Sequence, residues 1–340
     1  ILDAEAEGLT LDQTERRIRE YKDDDVLIVV MGNNPSVSST PKMPVAEELA
    51  ERIPDLQVRM AGLHPNAAGS KWPVPGEVFR RFPMQPWDKL PMRLYRAHNW
   101  HCLDGSPRSP YASIYTSLGC PFSCYYCNIH ALYGDRQVRF RPIPDIFKEI
   151  DVLVRTYSVR NIKIWDELFA LKEDRVLEIC EGLKEYDLNI WAYARLDTIT
   201  AKMLKAMKLG GINWLAYGFE SVTDKKFHTE AIKMTKDAGI SIIANFMFGL
   251  PGTTEDDDKR SLEFAMKHLF EFVNFYDAKP YPGSPWYDDV KPNIKWEDFG
   301  QYKNISPFRQ KAFHDYFTNP DYITMLRNKW GEQAVLQVKA

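Results

Sequence analysis

Three cysteines within eight residues constrain this chain more than any other feature of it. They lie in Gly119-Cys120-Pro121-Phe122-Ser123-Cys124-Tyr125-Tyr126-Cys127-Asn128, spaced Cys-x3-Cys-x2-Cys. The apolar run Tyr111 to Leu118 precedes them and reads as a strand, so the thiols sit on the loop that leaves it. Three thiols make a poor disulfide set, because one sulfur is always left over. They are also one short of the four ligands of structural zinc, unless Cys102 or Cys180 supplies the fourth. They suit an iron–sulfur cluster bound through three irons, with the fourth iron open to a ligand that is not protein.

The rest of the chain narrows the setting. At 340 residues it is long enough for two domains, or for one α/β barrel with additions. Net charge is −3 and no basic stripe appears, so a nucleic-acid partner is not expected. No apolar run reaches the ~18–20 residues of a membrane span. The acidic start, Ile1 to Gly8, has no apolar core of a secretory signal. Five cysteines, three of them clustered, fit a reducing, cytoplasmic setting.

Residues 1–70 read as part of a doubly wound α/β domain. Leu11 to Tyr21 is a polar helix capped by Thr10. Val26 to Met31 is a continuous β-branched run, expected to be a strand buried on both faces. A helix over 45–53 and a strand over 56–62 follow. Ligands in such sheets bind beyond the carboxyl ends of the strands. That edge carries the loops 32–40 and 62–69, with Asn33, Pro35, Ser36, His64 and Pro65. Residues 71–110 are rich in Pro, Arg and Trp and read as a linker. From Tyr111 strands (111–118, 160–166, 188–195, 212–219, 240–248, 271–279) alternate with helices (144–157, 172–185, 198–209, 222–238, 254–269), as repeated βα units do. Asp145 falls in the first turn of the first helix, and Asp197 and Thr198 are candidate caps of the third. Six units, spanning 111–290, are two short of a closed eight-stranded barrel. Residues 291–340, with helices at 306–317 and 320–338, read as an extension over the open side or base of the barrel, or as a dimer surface.

Barrel sites lie at the carboxyl ends of strands. After the cysteines, successive strands end in Asp166-Glu167-Leu168-Phe169, in Arg195, in Gly218-Phe219-Glu220-Ser221 and in Gly249-Leu250-Pro251-Gly252. Two adjacent acids cannot both point into a core, so one of Asp166 and Glu167 is free to meet a cation. A guanidinium at a strand end suits a carboxylate. Glycine lets backbone approach a flat ring. Trp100, Trp165, Trp191 and Trp214 either pack the core or shape an apolar pocket.

In this order the motifs resemble the radical S-adenosylmethionine (SAM) superfamily, in the branch with an N-terminal cobalamin-binding domain, over roughly residues 1–70 and 110–320. The resemblance implies a partial (β/α)6 barrel preceded by a Rossmann-like domain and followed by a helical cap. It implies that Cys120, Cys124 and Cys127 hold a [4Fe–4S] cluster whose open iron chelates SAM, and that an electron cleaves SAM to a 5′-deoxyadenosyl radical. Tyr126 would lie against adenine, Asp166 or Glu167 on the SAM ammonium and Arg195 on its carboxylate. Glu220 and Ser221 would lie near the ribose or amino group, and the Gly249 turn near adenine. The Asp-Glu-x-Phe stretch departs from the superfamily's usual Gly-Gly-Glu and matches the cobalamin-dependent branch. The N-terminal match is partial. The family's early histidine-bearing loop is absent, and Trp72-Pro73-Val74-Pro75 stands where an acidic glycine turn is usual, so the domain reads as incomplete. Cobalamin contacts would come from Asn33, Pro35, Ser36, His64 and Pro65. The implied activity is methyl transfer from methylcobalamin to an unactivated carbon or phosphorus of a small molecule or peptide, with electrons from a flavodoxin or ferredoxin. Two alternatives stay open: a radical SAM cyclase or rearrangement enzyme of the same layout, and a non-catalytic iron–sulfur or zinc protein.

Overall fold

The computed structural model describes residues 1–31, 39–75, 81–222, 226–301 and 305–339. They form two compact units, each built from separated stretches of chain. One comprises Ile1–Pro91, Leu118–Phe140 and Lys279–Asn304; the other comprises Met92–Ser117, Arg141–Ala278 and Ile305–Ala340. These are not the boundaries expected at 70, 110 and 290. The cysteine loop groups with the N-terminal stretch, and the expected linker divides after Pro91. Sequence periodicity marks the elements, but not which distant segments they pack with.

In the first unit, α1 (Leu11–Glu20) starts in a capping box made by Thr10 and Gln13. β1 (Asp25–Val30) and β2 (Gln57–Gly62) pair in parallel across α2 (Met43–Arg52). Gly62 closes β2 at φ 138°, and a Cβ there would fall 2.2 Å from the Val30 carbonyl oxygen, so the turn admits only glycine. A loop was expected after it, but the chain enters α3 (Leu63–Ala68). Val30, Met43, Ile53 and Met60 form the core, with Val26 and Ile28 packed against it. The expectation that β1 is buried on both faces fails. Leu27 and Val29, on the other face, are 39% and 48% exposed, because the core lies to one side only.

The second unit is a parallel sheet of six strands. They are β3 (Tyr111–Ile114), β4 (Asn161–Ile164), β5 (Asn189–Ala194), β6 (Ile212–Glu220), β7 (Ser241–Phe248) and β8 (Phe272–Asp277). Their spatial order is their chain order, and β3 and β8 are the edges, so the sheet is open. The helices α4 (Ile143–Tyr157), α5 (Glu173–Leu183), α6 (Ala201–Leu209), α7 (Lys226–Asp237) and α8 (Glu255–His268) make the crossovers. The first expected strand is shorter than its apolar run: it stops at Ile114, and Ser117–Leu118 is a separate short strand. α6 is capped by Thr200, which accepts from the Met203 amide, and not by Asp197 or Thr198.

Alternation along the strands gives the sheet two chemically different faces. Ile164, Ala192, Leu215, Ala244 and Phe275 fill one, all buried. The other carries Lys163, in register with Trp191, which is in register with Trp214. Trp100, from the expected linker, packs on this second face, 5.3 Å from the ring centres of both Trp191 and Trp214.

After residue 304, α9 (Pro307–Phe317), α10 (Pro320–Trp330) and α11 (Glu332–Lys339) complete the second unit. The single helix expected over 320–338 is broken at Gly331, φ 86°. The Tyr316 hydroxyl donates to the Phe270 carbonyl at 2.7 Å, and the Tyr322 hydroxyl to that of Glu271 at 3.1 Å. Both carbonyls lie just before β8, so these helices cover the amino-terminal edge of the sheet, the base.

Candidate functional site

The cysteine loop is held by backbone contacts within its own unit. Gly119 enters it at φ 96°, and a Cβ there would fall 2.2 Å from the Gln137 carbonyl oxygen. The Cys127 amide donates to the Cys124 carbonyl at 3.1 Å, closing a turn around two of the thiols. His130 donates from Nε2 to the Cys120 carbonyl at 2.8 Å. From outside the loop, the Trp286 amide donates to the Tyr125 carbonyl at 3.0 Å, and the Asn128 side chain to the Pro282 carbonyl at 3.0 Å. Tyr125 is the outward tyrosine, 40% exposed, with its hydroxyl donating to Asp289. Tyr126 is half-buried. The three cysteines are half-buried and in no disulfide. Among the described residues no set of three His, Cys, Asp or Glu converges on a single ion. A cluster asks for something different, one thiolate on each of three irons, and that donor set fits it. Cys102 and Cys180 are core residues. The Cys102 thiol donates to Asn161 at 3.4 Å, and burial pushes the Cys180 thiol up to about 12.

Both stems of that loop are fixed in the second unit, and Asp166 fixes the first. Its carboxylate accepts from the Thr116 amide (2.6 Å), the Thr116 hydroxyl (2.5 Å) and the Ser117 hydroxyl (2.6 Å), and it is 1% exposed. Asp166 is thus engaged by the stem; the ammonium contact was expected of Asp166 or Glu167, and of that pair Glu167 is the half-buried member. The Thr116 carbonyl accepts from the Arg141 amide at 2.9 Å and from Arg175 at 3.0 Å, and Arg175 also donates to the Arg141 carbonyl at 2.6 Å. Arg141 itself is buried in an ion pair with Glu149. Sequence reading missed Arg141 and Arg175; their only signal was an arginine next to, or a few residues beyond, a strand-end motif.

The other strand ends are specific in geometry. Arg195 is bidentate on Asp197, at 2.9 and 2.7 Å, so a ligand carboxylate would share this guanidinium. At the end of β6 the register shifts between Gly218 and Glu220, and Glu220 adopts φ 52°. This bulge lays the Glu220 carboxylate over Gly218, where a Cβ would meet it at 2.2 Å. Glycine and glutamate are thus parts of one feature. Ser221, next in the chain, is 9% exposed and its hydroxyl has no hydrogen-bond partner. An orphaned hydroxyl at a strand end is what a polar ligand there would satisfy. Gly249 has φ 74°, but its amide is engaged by the Asp258 carboxylate at 3.1 Å. Asp258, in the first turn of α8, is 9% exposed and anchors this turn.

Lys163 also escaped sequence reading, because one lysine inside Asn161–Ile164 does not disturb a strand pattern. It is 2% exposed. Its ammonium lies 3.4 Å from the Trp165 ring centre, 4.5 Å from that of Trp191 and 5.3 Å from that of Tyr193. Burial lowers its pKa well below the ordinary value.

Of the expected cobalamin contacts, Asn33, Pro35 and Ser36 lie outside the described residues. His64 is packed, not presented: it is 2% exposed, Nδ1 is 3.0 Å from the Thr40 hydroxyl, and the ring is edge-on to Trp296 at 4.6 Å. Burial holds it neutral, at about 4. Pro65 is buried in α3.

The model of the radical SAM superfamily matches residues 114–265, from the end of β3 into α8. An uncharacterized methyltransferase of Pyrococcus horikoshii is 28% identical over 268 residues, 70% of this chain and 56% of that protein. The anaerobic magnesium-protoporphyrin IX monomethyl ester cyclase of Rubrivivax gelatinosus is 26% identical over 204 residues, 56% of this chain and 36% of that protein. The chain thus spans little more than half, or less, of these curated relatives. Among solved structures, the radical SAM methyltransferase TsrM of Kitasatospora setae, with cobalamin and a [4Fe–4S] cluster bound, superposes with a TM-score of 0.61 at 13% identity, covering 82% of this chain and 69% of that one. At that identity the likeness is one of fold. The open six-stranded sheet and the cysteine loop that follows its first strand accord with this match to the radical SAM superfamily over residues 114–265.

Proposed function

We propose that this protein is a cobalamin-dependent radical SAM methyltransferase, acting on an unactivated carbon or phosphorus of a small molecule or peptide. The observation that carries the reading is the Cys-x3-Cys-x2-Cys loop, its stems clamped by Asp166, Arg141 and Arg175 inside a radical SAM domain. The methyltransferase names of relatives and the cobalamin of TsrM support the finer part. When bound, the cluster and SAM would supply a 5′-deoxyadenosyl radical, and methylcobalamin the methyl group.

The chain's own residues would do the following. Cys120, Cys124 and Cys127 hold three irons as thiolates, and Gly119 and His130 fix the loop before metal arrives. Asp166 holds Thr116 and Ser117, the stem that leads into the loop, beside the end of β4. Glu167 and Glu220 offer carboxylates to a ligand ammonium, and the Ser221 hydroxyl gains the partner it lacks. Arg195 takes a ligand carboxylate in competition with Asp197. An adenine contact is the role proposed for Tyr126, and for the backbone of the Gly249 turn. The N-terminal unit would hold the corrin without His64 as a ligand, and a flavodoxin or ferredoxin would supply electrons.

Anaerobic reconstitution tests this. About four irons per chain and SAM-dependent release of 5′-deoxyadenosine are expected, together with corrin absorbance in the purified protein and S-adenosylhomocysteine formed alongside. Cys124→Ala should abolish both products; continued SAM cleavage by that variant would overturn the reading. The cyclase relative favours a second outcome, deoxyadenosine without S-adenosylhomocysteine, which would move the protein to oxidative ring closure.

A further inference from the structure

We propose that the base of the second unit carries a separate binding site for a small oxyanion of the phosphate type. A cavity of about 220 Å³ opens among the amino-terminal ends of β5, β6 and β7 and the end of α10, away from the strand ends that carry the cysteines.

Three observations converge on it. His101 lines the cavity, is 1% exposed, and neither ring nitrogen has a hydrogen-bond partner. Buried polar groups are normally paired, so this imidazole has the capacity to donate one bond that the protein leaves unmade. Lys208 also lines it, and its ammonium donates to the neutral Asn213 side chain at 2.7 Å; among the described residues no carboxylate pairs with it. Lys329 stands with it on the lining, bonded to Glu271 at 2.8 Å, and its charge adds to burial in lowering the pKa of Lys208. Glu271 answers Lys329 and the Asp104 carboxylate is turned to Ser106, so the Lys208 ammonium is the charge that an anion would answer through charge-assisted bonds.

The polar floor is already ordered. Asn213 donates to Asn189 at 3.1 Å, and Asn189 to the His101 carbonyl at 2.9 Å, which fixes the imidazole's backbone. The one lining carboxylate, Asp104, is exposed and turned to the Ser106 amide and hydroxyl. The volume lies below the ~300–1,000 Å³ of drug-sized pockets, which suits phosphate or a small phosphate ester and not a nucleotide. Because Lys329 and Trp330 end α10, an anion here would tie the C-terminal helices to the sheet.

The test is a titration of the whole chain with inorganic phosphate at ionic strength held constant with chloride. A saturable rise in melting temperature of a few degrees and single-site calorimetric binding are expected. Lys208 is exposed, so Lys208→Gln should fold normally and bind about tenfold more weakly. Asp104→Asn should bind more tightly. Glycerol 3-phosphate run in parallel distinguishes the sources: tighter binding of the ester identifies a phosphorylated metabolite, tighter binding of the free ion identifies phosphate. No saturable response to either, or an unchanged response in Lys208→Gln, overturns the proposal. It stands apart from the methyl-transfer reading and survives or fails without it.

Discussion

A lysine whose ammonium rests on the faces of Trp165 and Trp191, with burial lowering its pKa, sets opposite tendencies on one atom. Ring faces favour the charged form, and desolvation favours the neutral one. The unfolded chain holds this proton up to about the ordinary 10.5, and the folded chain releases it lower. Between those two values the unfolded state binds more protons, so stability rises with pH across that window. Urea unfolding from roughly pH 7 to 9.5 should show this slope, and Lys163→Met should flatten it while folding at least as stably near pH 7; parallel slopes would count against the assignment. At the same scale, Gly119→Ala should keep its circular dichroism and lose iron on reconstitution, since φ 96° and the Gln137 carbonyl leave no room for a methyl group. The three cysteines were legible because their spacing has few chemical uses. Lys163 was not, because a lysine in a strand is usually a solvated one.

Strands and helices were legible by period, and their ends less so, because caps depend on which hydroxyl faces the first amides. Thr200, and not Asp197 or Thr198, does so for α6. Thr254 makes a capping box with Asp257 on α8, and Thr254→Ala should cost about 1 kcal/mol by denaturant unfolding. The Arg141–Glu149 pair, at 3% and 1% exposure, joins the returning stem of the cysteine loop to α4. Glu149→Gln leaves a buried guanidinium without its counter-charge and should cost about 3–5 kcal/mol. The iron content of the reconstituted variant should fall with it.

For the molecule as a whole, the C-terminal helices belong to the second unit, where Tyr316, Tyr322 and Lys329 bind the chain around Phe270 and Glu271. Removal of residues 305–340 should therefore lower the melting temperature of the second unit or prevent its folding, although none of them lies among the strand-end motifs. Among the described residues no helix is long and apolar enough to cross a membrane. The sequence alone determined the cysteine triad, the six βα repeats and the order of motifs along them, because each is written in local spacing and period. Tertiary structure decided what each motif does. Asp166 is turned onto Thr116 and Ser117, Asp258 holds the Gly249 amide, His64 is packed on Trp296, and the Gly218–Glu220 pair is one bulge. These assignments depend on which distant backbone groups meet a side chain once the strands align, and no local pattern records that.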